Sequence, residues 1–466
     1  MRLTIVGAGP GGYVAALKAA QLGAEVTVVE AGEVGGVCLN WGCIPTKTLI
    51  ASAELLLKLK EVESFGIELG GQPVPNIEKI MQRKNKVVET QVKGIRGLFK
   101  SWGVRLVEGR GRLLDAKKVQ VDMPGGSTQV IETDKVIIGT GSRPAAIPTF
   151  PFDGDRILSS DNALTIKAIP RSMIIVGAGV IGSEFGGIFN ALGTEVTIVE
   201  MMDRAVSTED LEISEVLERE YKKRKIKILK NIKVDRVETR PDGVHAFTSD
   251  GKELAAEKML VSIGRTLNTE RIGLEEAGVE KGKRGEILVD EHMETGIKGV
   301  YAIGDCTGRI LLAHVASTQG IVAAKNACGI EEKMDYNTVP AAIFTSPEIA
   351  SVGLREFQAK EKGLDCRIGR FHYRALGKAH AIGEIAGFVK VLADASTDKI
   401  IGAHIIGAHA SDLIQEMAVA IRNGLTARQV AGTIHAHPTL AEGVMEACEA
   451  VHGEAIHMPK EKEKNS

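Results

Sequence analysis

Thr4-Ile5-Val6-Gly7-Ala8-Gly9-Pro10-Gly11-Gly12 opens a segment that runs to Glu30, and Ile174-Ile175-Val176-Gly177-Ala178-Gly179-Val180-Ile181-Gly182 opens another that runs to Glu200. The two align without a gap, and about half of the paired positions are identical. Each reads as an apolar strand, a glycine turn, a helix, a second strand and a closing acid, the order of a dinucleotide-binding βαβ unit. The first glycine makes the tight turn, the second lets backbone amides approach a pyrophosphate, and the third allows close helix–strand packing. Glu30 and Glu200 end the second strands, where a carboxylate accepts hydrogen bonds from ribose hydroxyls. A lone glycine fingerprint is weak evidence, whereas two full copies with terminal acids are specific.

Two further runs bracket the second copy. Lys135-Val136-Ile137-Ile138-Gly139-Thr140-Gly141-Ser142-Arg143-Pro144 is a buried strand ending in a turn, and its Arg-Pro pair leads into a new segment. Gly299-Val300-Tyr301-Ala302-Ile303-Gly304-Asp305 is again strand, glycine and acid, and its carboxylate can bind a polyol or simply close a strand turn. One nucleotide-binding domain therefore has another inserted into it, with boundaries at 1–148, 149–268 and 269–335. From residue 336 the texture changes. Gly387–Ala393 and Ile400–Gly407 read as strands joined by the hairpin chemistry of residues 394–399, and helical periodicity follows over Ser411–Arg422 and Ala441–Ala450. A last α+β domain over 336–466 is expected. The fold class is α/β, with two Rossmann-like domains and this C-terminal domain; the charged residues after Pro459 read as a solvated, disordered tail.

The 466 residues are 44% apolar and 25% charged, which is ordinary for a globular chain with ample core. With 58 basic and 60 acidic residues the net charge is −2, so no basic stripe points to nucleic acid. The chain starts directly in a strand pattern and has no apolar run long enough to cross a bilayer, so a cytoplasmic address is expected. Six scattered cysteines are too few for a disulfide framework. A disulfide in a reducing compartment is more often catalytic than structural.

Cys38-Leu39-Asn40-Trp41-Gly42-Cys43, followed by Ile44-Pro45-Thr46-Lys47, brings two cysteines within disulfide reach if the chain curls, and Gly42 permits the curl. A helix is expected from Lys47 to Leu56, so Cys43 falls just before its N-terminus, where the dipole favours a thiolate. A pair of buried small residues or half of a metal site would have the same spacing, and no metal set is assigned. His435-Ala436-His437-Pro438-Thr439-Leu440-Ala441-Glu442 offers His437 as a proton carrier oriented by Glu442. The alternative is a capping box with Thr439 as N-cap and Glu442 at the third helical position. His435 and His404 have no evident partner and are read as structural.

Taken together, the cysteine motif through Lys47, the twin nucleotide folds, Tyr301–Asp305 and His435–Glu442 resemble the dihydrolipoamide dehydrogenases, among the flavin-dependent pyridine-nucleotide disulfide oxidoreductases. The resemblance runs nearly end to end. It implies an FAD domain over 1–148 continued at 269–335, an NAD domain over 149–268 and a dimerisation domain over 336–466. FAD would lie on Gly7, Gly9, Gly12, Glu30 and Asp305, NAD on Gly177, Gly179, Gly182 and Glu200. Lys47, Thr140, Gly141, Ala313 and Gly264 are further cofactor-binding residues, and Lys47 would pair with Glu184 near the flavin. In a homodimer, His437 and Glu442 would serve the Cys38–Cys43 disulfide of the other subunit. His437 would deprotonate dihydrolipoamide, the thiolate would attack Cys38, and electrons would pass from Cys43 through FAD to NAD. A lipoyl domain or lipoyl carrier protein is the implied substrate, and the acyltransferase core of a 2-oxo acid dehydrogenase complex or the glycine cleavage system the implied partner, with no nucleic acid and no membrane.

Relatives differ in identifiable places. Mercuric reductases carry a C-terminal cysteine pair, high-molecular-weight thioredoxin reductases a redox pair at the C-terminus, and soluble transhydrogenases lack a counterpart of Cys38. A glutathione-reductase-like enzyme is the alternative, but it calls for basic groups where this chain has Glu200-Met201-Met202-Asp203. Trp41 and the run Gly264-Arg265-Thr266-Leu267-Asn268 depart from the usual family pattern.

Overall fold

Strands rich in Val and Ile on both faces need cover on both sides, and parallel pairing through helical crossovers supplies it. A computed structural model describes residues 1–459, so the charged tail expected after Pro459 lies outside the described residues. The chain divides into two units. The first holds Met1–Ser52, Gly66–Ala168 and Ser262–Asp335; the second holds Ala53–Phe65, Ile169–Val261 and the chain from Tyr336 onward.

In the first unit, Val300–Ala302, Lys135–Ile138, Arg2–Val6, Glu25–Glu30 and Arg105–Glu108 form a parallel sheet in that order. The strand Val300–Ala302 completes this sheet after the second repeat has passed, which is the interleaving that the Gly299–Asp305 run predicts. Helix Pro10–Gln21 joins the first two strands of the chain and packs on helix Ala313–Ala327. The approach is close because glycine faces it from both sides: a Cβ on Gly11 would lie 2.9 Å from the Ala316 carbonyl, and one on Gly320 would overlap Gly11. An antiparallel trio, Arg110–Asp115, Lys118–Asp122 and Thr128–Glu132, contributes Leu113, Val119 and Val121 to the same buried cluster as Val6 and Ile138.

The second unit repeats the parallel arrangement with Lys227–Leu229, Glu195–Val199, Ser172–Val176 and Lys258–Val261. Ser172 pairs with Glu195 as Arg2 pairs with Glu25, so the two copies share a register. The C-terminal part is a five-stranded antiparallel sheet ordered Ala341–Ile343, Ile349–Gly353, Ile400–Ile406, Phe388–Asp394 and Cys366–His372. The expected hairpin is present, its turn held by Asp394, whose Oδ1 accepts the amides of Ser396 and Thr397. Helices Ala410–Arg422 and Glu442–Ala450 cover the sheet through Ile414, Met417, Val444 and Ala447. Among the described residues, no helix is long and apolar enough to cross a membrane.

One charged cluster in this unit is buried. The Lys390 ammonium, 1% exposed, donates to Asp210 at 2.9 Å, Glu212 at 3.1 Å and Glu356 at 2.6 Å. Arg370 grips Glu212 with three bonds of 2.6–3.1 Å. Burial pushes the Asp210 and Glu212 carboxyls up, but Lys390 on the first and Arg370 with Lys390 on the second outweigh it and hold both below the usual carboxyl range. Burial likewise opposes the charge on Lys390, and its carboxylate partners overcome it, leaving the ammonium above its ordinary range.

Candidate active site

The first dinucleotide cradle is shaped by what its glycines exclude. Gly7, at φ +104°, has left-handed backbone, and a Cβ there would overlap the Gly139 carbonyl. A Cβ on Gly12 would overlap the Gly7 carbonyl, so the third glycine sets how tightly helix and strand pack. Gly9 caps helix Pro10–Gln21 with no side-chain cap and no acid in the first turn. Helix N–H groups thus face outward with their positive dipole end unopposed, which suits a phosphate. Glu30 ends the second strand with Oε2 accepting the Ala8 amide at 2.7 Å and Oε1 the Gly32 amide at 2.8 Å.

The second copy reproduces this geometry bond for bond. Gly177 lies at φ +98°, Gly179 caps helix Val180–Leu192 without a side-chain cap or a first-turn acid, and Gly182 is buried within that helix. Glu200 accepts the Ala178 amide at 2.6 Å and the Met202 amide at 2.8 Å. A Cβ on Gly179 would meet nothing within 4 Å, so the cradle opens to the outside at that point. Both sites have the donor set and open approach that a dinucleotide pyrophosphate needs.

Around the first cradle, Thr140 Oγ1 donates to the Asn268 carbonyl at 2.7 Å, and the Asn268 backbone amide donates to the Gly141 carbonyl at 2.9 Å. Asp305 sits in a short 3₁₀ turn, Gly304–Thr307, and accepts a short hydrogen bond from Ser142. Arg265 donates to the Ser142 hydroxyl at 2.6 Å and stands 3.8 Å from Asp305. Ala313 starts helix Ala313–Ala327, and Gly264 accepts the Ala145 amide at 3.0 Å, placing it in the first unit. Glu184, buried in the second unit, accepts the Phe344 amide at 3.0 Å. Lys47 lies in the first unit near the cysteine pair, where its cation lowers the cost of ionising Cys38.

Cys38 lies in helix Gly36–Trp41 and Cys43 is the first residue of helix Cys43–Lys60. This corrects the expected start after Pro45: proline is tolerated in the first turn because its missing N–H has no intrahelical partner there. The curl at Gly42 is as expected, since a Cβ there would lie 3.0 Å from the Val37 carbonyl and 3.3 Å from Cys38 Cα. A side-chain hydrogen bond with Cys43 is the main reason the Cys38 thiol is raised well above its usual range, and burial adds to it. Tyr13, which the motif reading passed over, belongs to this neighbourhood: burial raises its phenol, and the charge of Cys38 raises it further.

His437 Nδ1 is 2.8 Å from Glu442 Oε1, while Glu442 Oε2 accepts the Thr439 amide at 2.9 Å. One carboxylate therefore orients the imidazole and takes the amide that a capping box would supply. Thr439 is not the N-cap, because the helix begins at Glu442 and the Thr439 hydroxyl donates to Ala436 instead. Burial pushes the Glu442 carboxyl up, but the Thr439 amide, His437 and the charge of His457 together leave it below the usual range. The other histidines do have partners. His435 is 3.0 Å from Glu416, and buried His404 is 2.9 Å from the Leu354 carbonyl. Both fit structural roles, through contacts with distant segments that a linear reading cannot pair.

The chain as a whole is similar to known proteins. Residues 1–320 match the family described as pyridine nucleotide-disulphide oxidoreductase, and residues 339–448 match the dimerisation domain of that family. The chain is 42% identical over 457 residues to a dihydrolipoyl dehydrogenase of Chlamydia muridarum, covering 98% of this chain and 97% of that one. It is 42% identical over 469 residues to a dihydrolipoyl dehydrogenase of Bacillus subtilis, covering 98% of each. The crystal structure of LpdA from Mycobacterium tuberculosis superposes with a TM-score of 0.91 at 33% identity, covering 96% of this chain and 99% of that one. With two dinucleotide cradles, a cysteine pair and a matched dimerisation domain on one chain, this protein belongs to the pyridine nucleotide-disulphide oxidoreductases.

Proposed function

We propose that the chain oxidises protein-bound dihydrolipoamide to lipoamide and reduces NAD to NADH, working as a homodimer. The observation that carries this reading is the Cys38–Cys43 pair, hydrogen-bonded across the Gly42 curl in a chain 42% identical to dihydrolipoyl dehydrogenases. The domain limits proposed are 1–148 with 269–335 for FAD, 149–268 for NAD and 336–466 for dimerisation. Gly7, Gly9, Gly12, Glu30, Thr140, Gly141, Asp305 and Ala313 hold FAD; Gly177, Gly179, Gly182, Glu200 and Gly264 serve NAD; Lys47 pairs with Glu184 beside the flavin. Glu200 supports NAD over its 2′-phosphorylated form, because a carboxylate fixed by two amides repels a phosphate.

The chain's own groups then act in order. Glu442 on Nδ1 fixes the His437 tautomer, leaving Nε2 to take the proton of a substrate thiol. The thiolate attacks Cys38 Sγ of the oxidised pair; the Cys38–Cys43 bond breaks, Cys43 leaves as a thiolate and a mixed disulfide forms. The second substrate sulfur attacks its neighbour in that mixed disulfide, closing lipoamide and releasing Cys38. Bound FAD supplies the two-electron acceptor that restores the disulfide, with NAD as final hydride acceptor. His437 and Glu442 of one subunit serve the cysteine pair of the other, and the substrate arrives on a lipoyl domain or lipoyl carrier protein of a cytoplasmic 2-oxo acid dehydrogenase complex or glycine cleavage system.

Anaerobic addition of dihydrolipoamide and NAD to the holoprotein tests this. NADH should appear in step with lipoamide, and Cys38→Ser should abolish it. Failure with dihydrolipoamide, alongside reduction of glutathione disulfide by NADPH, would replace the substrate while leaving the family intact.

A further inference from the structure

The second copy of the repeat holds its glycine turn with a strained valine where the first copy uses a glycine. In the first copy the Ala8 carbonyl accepts the amide of Gly35, which lies at φ +91°, over 2.8 Å. In the second, the Ala178 carbonyl accepts the amide of Val206, also over 2.8 Å, and Val206 is buried at φ +43°. A β-branched residue at positive φ is a backbone outlier, and it persists only where the surrounding structure over-determines it. Glu200 holds the Ala178 amide at 2.6 Å, so Glu200 and Val206 fix the central residue of the turn at its amide and at its carbonyl. The Ser183 hydroxyl adds a longer bond to the same carbonyl, at 3.1 Å.

The far end of this loop is fastened by the segment matched to the dimerisation domain, within the same unit. The Arg355 guanidinium donates to the Thr208 carbonyl at 3.1 Å and to the Glu209 carboxylate at 3.1 Å. It also donates to the Gly353 carbonyl at 3.2 Å and the Ser351 hydroxyl at 3.0 Å, which anchor it on its own strand. The Glu209 side chain is 4% exposed, and the Glu209 amide donates to the Val206 carbonyl at 2.8 Å. Arg204 closes the loop with a bond to the Ser207 carbonyl at 2.9 Å and lies 5.9 Å from the ring centre of Phe357.

We propose that Arg355 is a positioning residue for the nucleotide: by fixing Thr208 and Glu209 it keeps Val206 in its strained conformation, and so keeps the second glycine turn in its binding shape. This rests on the reading of the second cradle as the NAD site. Arg355 acts through Val206 and Ala178. A guanidinium suits the place, because acceptors lying in several directions match its fixed fork of donors. In Arg355→Met the buried Glu209 carboxylate loses its cation, which favours movement of the loop outward into water. Val206 then relaxes and its amide leaves Ala178. Binding must re-form the turn, so the apparent affinity falls with the fraction of molecules that still hold it. Re-fixing the backbone of one residue corresponds to roughly a 5- to 30-fold change.

The test is a fluorescence titration of the holoenzyme with NADH, at a temperature well below the melting of every variant. Amide hydrogen exchange of the nucleotide-free holoenzyme over residues 200–210 is the second readout. Arg355→Met should bind NADH roughly 5- to 30-fold more weakly, and its Val206 amide should exchange faster. Arg355→Met/Val206→Gly, which removes the strain that the clamp opposes, should recover most of the lost affinity. Wild-type affinity in Arg355→Met would overturn the proposal, as would unchanged exchange at Val206 or an equal loss in the double variant. A merely structural role would lower the melting temperature and leave the affinity of the folded enzyme as it is. If Arg355→Met does not fold, Arg355→Lys, which keeps the cation and loses the fork, carries the test: a smaller loss is expected, and unchanged affinity overturns the clamp. Exchange needs no nucleotide. Faster exchange in Arg355→Met, in a protein whose wild type does not bind NADH, would therefore remove the NAD reading and leave the clamp on the turn standing.

Discussion

Gly179→Ala separates what the dinucleotide cradle does for the fold from what it does for the ligand. A Cβ at this position meets no atom within 4 Å, and the backbone, at φ −71° and ψ −167°, is one that alanine adopts. Alanine is a poorer N-cap than glycine by roughly 0.5–1 kcal/mol, while the loss of backbone freedom in the unfolded chain returns about 0.4–1 kcal/mol. The two nearly cancel, so the stability of the protein should change by less than about 0.5 kcal/mol. On the proposed NAD site, the methyl group would nonetheless stand where backbone amides meet the pyrophosphate. Each hydrogen bond to a charged group contributes about 1.5–3 kcal/mol, so displacing the phosphate from one amide should weaken NADH binding by roughly 10- to 150-fold. Gly177→Ala is the contrast: at φ +98° it is strained by about 1–2 kcal/mol before any ligand arrives. The assay is a fluorescence titration with NADH beside thermal melts of the same holoenzyme samples. The reasoning fails if Gly179→Ala melts as early as Gly177→Ala, or if it binds NADH as tightly as the wild type.

Lys390→Met should lower the stability of the holoenzyme by about 3–5 kcal/mol, because it strands the 2% exposed Asp210 side chain among buried partners; a denaturant-midpoint change equivalent to less than about 1 kcal/mol would refute a buried pair of that strength. The depressed Asp210 and Glu212 carboxyls contribute stability that is fully present above their unfolded pKa values and lost as pH falls through the folded ones. The loss in the variant should therefore be fully expressed above the ordinary carboxyl range and shrink as pH falls through the depressed folded values, where the wild type loses the same interaction. His437→Gln should cut turnover with dihydrolipoamide by about 10²–10⁴-fold and barely alter dye reduction by NADH; equal losses would remove His437 from the thiol step. Glu200→Gln should weaken NAD binding about tenfold, the effect of one charged acceptor, and unchanged affinity by calorimetry would take Glu200 out of the site.

What could be read from the linear chain was whatever local periodicity and turn chemistry encode. The repeat at Thr4–Glu30 and Ile174–Glu200 carries its own strand, glycine turn and acid, so its cradles were legible to the register of single pairs. The cysteine pair was legible because five positions and one glycine contain its geometry. The Lys390 cluster was not, since Asp210 lies 180 positions away and looks like a surface acid beside a helix start. Ser142 and Arg265 around Asp305, and Glu416 on His435, were missed for the same reason: partners from separate elements meet only after the sheets form. Element limits slipped where terminal residues have two solutions. Cys43 through Thr46 joined a helix because proline fits its first turn, and Thr439 surrendered the cap because its hydroxyl found the Ala436 carbonyl.

The differences between the two copies of the repeat are as informative as their identities. Glycines 7, 9 and 12 have counterparts at 177, 179 and 182, and both closing glutamates take two amides, so these positions answer to what the copies share. Gly11 has Ile181 as its counterpart. In the first copy, helix Ala313–Ala327 presses on that position, and a Cβ on Gly11 would lie 2.9 Å from the Ala316 carbonyl. In the second copy the small residues come later in the helix: a Cβ on Gly186 would be 3.0 Å from Ile198, and one on Gly187 would be 3.3 Å from the Tyr221 hydroxyl, which itself donates to the Ser183 carbonyl at 2.6 Å. A glycine shared by both copies thus marks the turn and, in the proposed function, the approach to a dinucleotide, while a glycine confined to one copy marks the neighbour that copy alone must admit. The same sequence pattern is fitted to two surroundings without disturbing the three shared glycines and the closing glutamate.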